Sequence, residues 1–274
     1  MVRRIIKKAK SVLFADPKLL YNEEMHLLNK DFYFEGTNKK AVILFHGWST
    51  TPYEVRRLGQ FLNERGYSVY GPMFSGHGTV PEDLDGLEYI DWLTDAKKAI
   101  LKMRRDHDKI FIGGTSMGAN ITMCLAKEEE GIDGIILMAA PYRIKFEEIG
   151  EMTAWIMSKF KKYHKKFYPP TFGISTTITR LISYQRYPIK NVLELGRLIK
   201  RSRKDLEKIY QPCLILQSAH DHIVTKNSLE KIYGKISSQH KRKKYIQKAY
   251  HTFISDIKNE HVFEDILDFL NSIK

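Results

Sequence analysis

Cysteine is scarce in this chain, which limits how its fold can be stabilised. Among 274 residues only Cys124 and Cys213 are cysteines, and each lies within an apolar stretch. Cysteines in such surroundings are typically small buried core residues, so we expect no disulfide between them. This composition excludes a small, disulfide-stapled secreted scaffold. With 43% hydrophobic residues, the chain can instead build the core of one large domain, or of one domain with an insertion.

Long hydrophobic runs are also missing. No stretch approaches the roughly 20 apolar residues that a membrane-spanning helix needs. The basic start of the chain leads into a short apolar segment, residues 11–15 (SVLFA), which Asp16 and Pro17 interrupt at once. That segment is too short for the apolar region of a secretory signal. We therefore expect a cytoplasmic protein.

The charge is unbalanced, with 45 Lys and Arg against 32 Asp and Glu and a net charge of +13. Such an excess favours anionic partners. No nucleic-acid-binding motif is recognisable, so we do not expect nucleic acid among them. Residues 1–30 are predicted to form an N-terminal basic helical extension. Two interpretations of it stand: the helix packs on the protein's own surface, or it lies on an anionic membrane.

Apolar runs alternate with helical patterns along most of the chain, and four of these runs predict buried strands. They are residues 41–45 (AVILF), 109–112 (KIFI), 134–138 (GIILM) and 213–217 (CLILQ). Runs that are apolar on both faces indicate a mostly parallel central sheet flanked by helices, an α/β fold. Residues 31–141 and 207–274 form this predicted core.

Residues 142–206 interrupt the alternation. Their pattern is helical, and residues 142–210 carry 16 Lys and Arg against 6 Asp and Glu. Since strands and helices alternate again directly afterwards, we predict a helical cap inserted into the core. Its positive charge suggests that anionic substrates or anionic lipid surfaces are attracted to it.

Three local features are also predicted. Residues 51–52 (TP) should cap a helix that ends near Arg65. Residues 241–244 (KRKK) are interpreted as a solvated loop, and residues 255–273 as one closing helix.

A five-residue motif, 114–118 (GTSMG), lies between the predicted strand 109–112 and a helical stretch that begins at Met117. A serine on a sharp strand-to-helix turn is accessible to a base, and glycines on both sides prevent collisions in that turn. The helix directs its free N–H groups and its positive end at the same place, where they stabilise an oxyanion. We therefore predict that Ser116 is a nucleophile.

A serine nucleophile needs a base and a carboxylate that orients the base, and in this type of fold the order along the chain is serine, acid, histidine. Asp221 lies just after the predicted strand 213–217 and is our candidate acid. Asp85 precedes the serine, and Asp256 begins the predicted last helix, so both are weaker candidates.

Four histidines follow Asp221. His222 is its chain neighbour, His240 adjoins the lysine-rich run, and His261 falls within the last helical pattern. His251 alone lies in the loop between the last predicted strand, residues 243–247 (KKYIQ), and the last helix. We therefore predict that His251 is the general base.

An oxyanion formed at the serine needs two backbone donors. Met117 supplies one N–H as the residue after the nucleophile, and we assign the other to Trp48, in the loop after strand 41–45. The Trp48 indole either lines the acyl pocket or packs. His46, His77 and His220 are interpreted as loop-shaping or substrate-pocket groups rather than as the base.

With these residues in place, the chain resembles the bacterial carboxylesterases and monoacylglycerol lipases of the α/β-hydrolase superfamily. The resemblance extends from about residue 31 to the C-terminus. It rests on the Asp221 and His251 loops and on residues 44–48 (LFHGW), 71–78 (GPMFSGHG), 91–92 (DW), 114–118 (GTSMG) and 139–144 (AAPYRI). It implies an α/β-hydrolase fold with a helical cap at 142–206 and no metal or organic cofactor.

The resemblance also implies hydrolysis of carboxylic esters with short to medium acyl chains. Ser116, Asp221 and His251 fall on the family's triad, and Trp48 and Met117 on its oxyanion pair. The expected partner is a small-molecule ester or a monoacylglycerol. A thioesterase, amidase or peptidase on the same fold is the alternative, because the triad does not select the leaving group. A non-catalytic binding module would have a broken triad, whereas all three residue types are present here.

Overall fold

The computed structural model describes residues 22–166, 178 and 181–273. Most of the predicted N-terminal helical extension therefore lies outside the described residues. Its described end contains a 3-10 helix at Asn22–Leu27. Within the described ranges, no helix combines the length and the apolar content needed to cross a bilayer.

A seven-stranded sheet forms the centre of the molecule. The strands of the described chain are β1 (Phe32–Phe34), β2 (Lys40–Phe45), β3 (Ser68–Gly71), β4 (Lys109–Thr115), β5 (Gly134–Met138), β6 (Tyr163–Lys165), β7 (Arg186–Pro188), β8 (Cys213–Ser218) and β9 (Lys241–Ile246). The main sheet has the order β1-β3-β2-β4-β5-β8-β9, and all its pairings are parallel except that of β1 with β3. Strands β6 and β7 form a separate antiparallel pair.

Helices cover both faces of this sheet. They are α1 (Tyr53–Asn63), α2 (Tyr89–Arg104), α3 (Met117–Glu128), α4 (Glu147–Met157), α5 (Ile189–Arg203), α6 (Ser228–Lys235) and α7 (His261–Asn271). Side chains of α2, α3 and α6 pack with Ile43 and Ile112 on one face. Side chains of α1 and α7 pack with Val42 and Leu44 on the other. Successive residues of a strand therefore pack into the cores on opposite faces of the sheet. The predicted α/β-hydrolase architecture is confirmed.

The parallel pairing brings the loops that follow the central strands to one edge of the sheet. Phe45 at the end of β2 is in register with Gly114, and Thr115 at the end of β4 is in register with Met138. Ser218, which ends β8, lies opposite Ile246 of β9. The loops after β2, β4, β8 and β9 therefore meet at this edge.

The chain between β5 and β8 contains α4, β6, β7 and α5 in its described part. Helix α5 packs against α3 and α4. The short strand pair β6–β7 is an addition to the helical pattern predicted for this segment. Three-residue strands are too short for an alternating pattern to be visible in the sequence.

The predicted cap of α1 is wrong in its details. Pro52 occupies the N-cap position, and no side chain caps the helix. The Thr51 hydroxyl instead donates a hydrogen bond to Leu28 O at 2.5 Å. The Thr51 hydroxyl therefore bonds to a carbonyl far away in the chain and not to an N–H group of α1.

Two predictions near the C-terminus are also wrong. The lysine-rich run 241–244 is not a loop, because β9 begins at Lys241, before the start of the strand predicted at 243–247, and its backbone pairs with β8. Strand β9 lies at the sheet edge, where charged side chains stay solvated and discourage further strand pairing. The closing helix does not begin until His261. The residues before it form two 3-10 turns, and between these turns Asp256 Oδ1 accepts the Lys258 N–H.

Candidate active site

Ser116 lies in a strained turn between β4 and α3. Its backbone has φ 53° and ψ −113°, which side-chain-bearing residues rarely adopt. A Cβ atom on Gly114 would lie 2.2 Å from the Gly118 carbonyl carbon, and one on Gly118 would lie 2.2 Å from the Phe45 carbonyl oxygen. The turn therefore closes only with glycine at both positions. The Ser116 N–H donates to Met138 O at 2.9 Å and ties the turn to β5.

A continuous line of hydrogen bonds joins the three side chains selected from the sequence. His251 Nε2 lies 2.9 Å from Ser116 Oγ, and His251 Nδ1 lies 2.8 Å from Asp221 Oδ2. When Nδ1–H donates to the carboxylate, the Nε2 lone pair faces the serine hydroxyl. The imidazole and the carboxylate are both buried. This is the arrangement in which a histidine can remove a serine proton.

The Asp221 carboxylate is held by several donors besides His251. Its Oδ1 accepts the N–H groups of Ile223 at 2.8 Å and Val224 at 2.9 Å, and its Oδ2 accepts Gln217 Nε2 at 2.7 Å. Burial raises the pKa of Asp221, but the charge and hydrogen bond of His251 and the two backbone donors outweigh it. The pKa of Asp221 therefore lies below its ordinary value, and the group stays ionised.

His251 is shifted in the opposite direction. Burial lowers its pKa, but the charge and hydrogen bond of Asp221 and the charge of Glu54 more than offset that effect. The pKa of His251 therefore lies above the ordinary histidine value of 6.5. Two carboxylates thus stabilise the imidazolium that forms when the ring accepts a proton.

The competing acids and histidines lie elsewhere. Asp85 pairs with Lys162, and Asp256 accepts the Lys258 N–H. His240 contacts Ser272 Oγ at 3.0 Å, and His261 begins α7. None of these contacts involves Ser116, whereas His251 contacts Ser116 and Asp221 contacts His251.

The loop of residues 46–50, which we call the β2 loop, lies beside the serine turn. The Cβ position of Gly118 is within 2.2 Å of Phe45 O and 2.8 Å of His46 O, so the start of this loop touches the first turn of α3. Met117 is the first residue of α3, and its N–H has no acceptor within the helix. Trp48 and Met117 thus belong to two neighbouring segments beside Ser116.

A buried carboxylate from α1 holds the β2 loop, and the sequence did not indicate it. Glu54 Oε2 accepts the Gly47 N–H at 2.7 Å and the Thr50 hydroxyl at 2.8 Å. Burial raises the pKa of Glu54, while Gly47, Thr50, His251 and then Lys166 oppose the rise. A Cβ atom on Gly47 would meet Glu54 Oε2 at 3.0 Å, so the carboxylate lies directly against the loop backbone.

The segment between β5 and β8 holds the same loop from the other side. The Trp48 indole donates to Asn191 Oδ1 at 2.7 Å and lies edge-on to the Tyr187 ring at 4.9 Å. Lys166 Nζ donates to Ser49 Oγ at 2.8 Å, and burial lowers the pKa of this lysine to about 8. Tyr184 N–H donates to Ser49 O at 3.0 Å. The Trp48 indole therefore joins the loop to the inserted segment.

His46 and His77 are buried side chains whose hydrogen bonds go to loop backbone. His46 Nδ1 donates to Gly47 O at 2.8 Å, and its Nε2 accepts the Phe74 N–H at 3.3 Å. His77 Nδ1 donates to Ser75 O at 3.0 Å, and the two rings lie 5.0 Å apart. Burial lowers the pKa of His77 to about 4 and that of His46 well below its ordinary value. These neutral rings favour the loop-shaping interpretation.

Comparisons with known proteins agree with this architecture. Residues 36–258 match the family described as serine aminopeptidase, S33 (Hydrolase_4). The chain belongs to this α/β-hydrolase family. It is 30% identical over 245 residues to a carboxylesterase of Bacillus subtilis (strain 168), and the aligned residues make up 89% of this chain and 97% of the relative. It is 28% identical over 231 residues to a thermostable monoacylglycerol lipase of Bacillus sp. (strain H-257), and the aligned residues make up 84% of this chain and 89% of that relative.

Solved structures of similar fold include lipolytic enzymes. One comes from the metagenome-derived LipS and LipT, with a TM-score of 0.79, 24% identity and coverage of 89% of this chain and 98% of that one. Another is a soluble variant of monoglyceride lipase from Saccharomyces cerevisiae bound to a substrate analogue, with a TM-score of 0.74, 17% identity and coverage of 89% and 91%. The predicted family is confirmed, and the protein is an α/β-hydrolase enzyme.

Proposed function

We propose that the protein hydrolyses carboxylic esters through a triad of Ser116, His251 and Asp221. The observation that carries the proposal is the pair of hydrogen bonds, 2.9 and 2.8 Å long, that connects the three side chains. The names of the two Bacillus relatives, a carboxylesterase and a monoacylglycerol lipase, favour esters over thioesters and amides. No metal or organic cofactor takes part in the proposed reaction.

In the first half-reaction Ser116 Oγ attacks the ester carbonyl carbon while His251 Nε2 takes the hydroxyl proton. The carbonyl oxygen becomes an oxyanion, which accepts hydrogen bonds from the backbone N–H groups of Trp48 and Met117. His251 then gives its proton to the leaving alcohol, and the acyl group stays on Ser116. Asp221 keeps the imidazole oriented and stabilises its charged form.

In the second half-reaction a water molecule replaces the alcohol. His251 takes a proton from the water, the resulting hydroxide attacks the acyl carbon, and the same two N–H groups hold the second oxyanion. Collapse of this intermediate releases the carboxylic acid and returns the proton to Ser116.

Residues 142–206 are proposed to act as a cap over this site. Support comes from the hydrogen bonds of Asn191 and Lys166 to the β2 loop and from that of Lys145 Nζ to Asp221 O at 2.8 Å. The inserted segment thereby contacts both the proposed oxyanion side and the acid side of the site. The proposed substrates are monoacylglycerols and other small esters of short to medium acyl chains.

Steady-state turnover of p-nitrophenyl esters and monoacylglycerols of increasing chain length tests the proposal. Wild-type protein should hydrolyse them, and Ser116→Ala should fold normally and lower kcat by at least about a thousandfold. Ser158→Ala, which changes a partly exposed serine after α4, is the matched control and should retain wild-type kcat. Ester turnover by Ser116→Ala at the wild-type rate would overturn the proposal. An acyl-CoA and an aminoacyl anilide in the same panel separate thioesterase and peptidase activity from ester hydrolysis.

A further inference from the structure

The outer side of α4 carries a continuous apolar stripe that the proposed chemistry does not use. Its members follow one another at helical spacing along one side of the helix and its flanks. The stripe, which we call the α4 face, consists of Phe146, Ile149, Met152, Trp155, Ile156 and Phe160. These side chains are between 45% and 85% exposed.

The inner side of α4 packs against α5. Glu147 pairs with Arg203 at 2.8 Å, Glu151 pairs with Lys200, and Ala154 is buried. The helix is therefore held in place with its apolar stripe facing outwards. Six of the 14 exposed large hydrophobic residues of the described chain belong to this single face. Clustered exposure of this kind marks an interaction surface, whereas scattered exposed apolar residues do not.

Basic side chains border the α4 face at both ends. Exposed residues of this type are Arg143 and Lys145 before it, and Lys159, Lys161 and Lys165 after it. Lys159 Nζ lies 3.6 Å from the centre of the Trp155 ring. Glu148, an exposed acid at the start of the helix, lies 3.6 Å from Arg143. The border of the stripe is therefore strongly positive.

We propose that the α4 face is a docking surface for an anionic lipid bilayer. Such a surface requires apolar side chains that enter the boundary between headgroups and acyl chains. It also requires lysines that reach the anionic headgroups. A second copy of the chain fits less well, because it would bring the same cations together. Lys145, at the edge of the face, donates to Asp221 O. A docked protein would therefore hold its site close to the lipid from which an ester substrate leaves.

Cosedimentation of the full-length protein with vesicles tests this docking directly. The vesicles are phosphatidylcholine alone and an equimolar mixture of phosphatidylcholine and phosphatidylglycerol. We expect binding to the anionic vesicles that weakens as salt is raised. Replacing Ile149 and Phe160 together by serine should lower the partition coefficient at least about tenfold, because two exposed apolar side chains no longer enter the bilayer.

The matched control replaces two other exposed apolar residues, Leu101 and Tyr210, by serine. It should bind vesicles like the wild type, and both double variants should hydrolyse a water-soluble ester at the wild-type rate. Wild-type vesicle binding by Ile149→Ser/Phe160→Ser would overturn the proposal. A concentration-dependent dimer in the absence of lipid that this variant abolishes would also overturn it in favour of a second copy. Because binding is measured without turnover, these outcomes are independent of the proposed esterase activity.

Fluorescence provides a second readout at the surface itself. Trp155 is exposed, whereas Trp92 is buried and the Trp48 indole contacts Asn191. Brominated phosphatidylcholine in the anionic vesicles should quench the emission of the wild-type protein, and Trp155→Phe should remove most of that quenching. Vesicle binding without quenching of Trp155 would mean that another surface docks.

Discussion

Two buried carboxylates, Asp221 and Glu54, hold the residues of the site in place. Asp221 follows a predicted strand, and His251 falls in the one suitable loop, so both could be chosen as candidates from the sequence, and the structure places their side chains 2.8 Å apart. Glu54 has no such signal, because it is one acidic residue among others at the start of a helix. Its burial and its bond to the Gly47 N–H exist only after α1 packs beside the β2 loop.

The first prediction concerns the pH dependence of turnover. The imidazole of His251 must be neutral to accept a proton, so kcat/KM should rise with pH through its pKa, with a midpoint above pH 6.5. Glu54 raises that pKa, so Glu54→Gln should move the midpoint towards lower pH while its amide oxygen still accepts the Gly47 N–H. The pH profiles of the two proteins measure the difference.

Glu64→Gln, on the exposed end of α1, is the control for this change and should leave the profile in place. A Glu54→Gln profile that coincides with the wild-type profile would show that Glu54 has no electrostatic effect on His251. A lower kcat with an unchanged midpoint would limit Glu54 to holding the loop.

At the scale of structural elements, the serine turn depends on the close packing of β2, β4 and α3. The apolar strands and the motif were predictable because their signals are local. The strand pair β6–β7 and the break before α7 were not, since they depend on contacts with other parts of the chain. Asn191 and Lys166 could not be chosen from the sequence either, because their partners in the β2 loop lie more than 100 residues away.

The second prediction compares two glycines within helices. Gly118→Ala should destabilise the protein by about 2–3 kcal/mol and abolish ester turnover, because its Cβ would lie 2.2 Å from Phe45 O. Gly150→Ala, in α4, meets no atom within 4 Å and should stabilise the protein by about 0.5–1 kcal/mol. Urea denaturation of both variants measures the free energies of unfolding. Equal stabilities for the two variants would contradict the packing described for the turn.

At the largest scale, two apolar cores lie on opposite sides of one sheet, and both cysteines are buried in the same core. Cys124 of α3 and Cys213 of β8 are both free thiols, as the sequence indicated. Burial raises the pKa of Cys124 to about 11 and raises that of Cys213 further. Neither thiol is therefore available as a thiolate in the folded protein.

The third prediction uses these thiols as reporters of global unfolding. Iodoacetamide should modify neither cysteine at neutral pH in the absence of denaturant, and should modify both once urea unfolds the chain. Mass spectrometry across the urea titration should give the same midpoint for Cys124 and Cys213, since both lie in a core that unfolds cooperatively. Rapid labelling of either thiol in the native protein would contradict its burial.

Covalent labelling is the most direct test of the proposed activation of Ser116 by His251. A fluorophosphonate reacts with an activated serine, and peptide mass spectrometry identifies the modified residue. We expect one adduct on Ser116 in the wild-type protein, none at this position in Ser116→Ala, and much slower labelling of Ser116 in His251→Ala. An adduct on another serine, or undiminished labelling in His251→Ala, would contradict it.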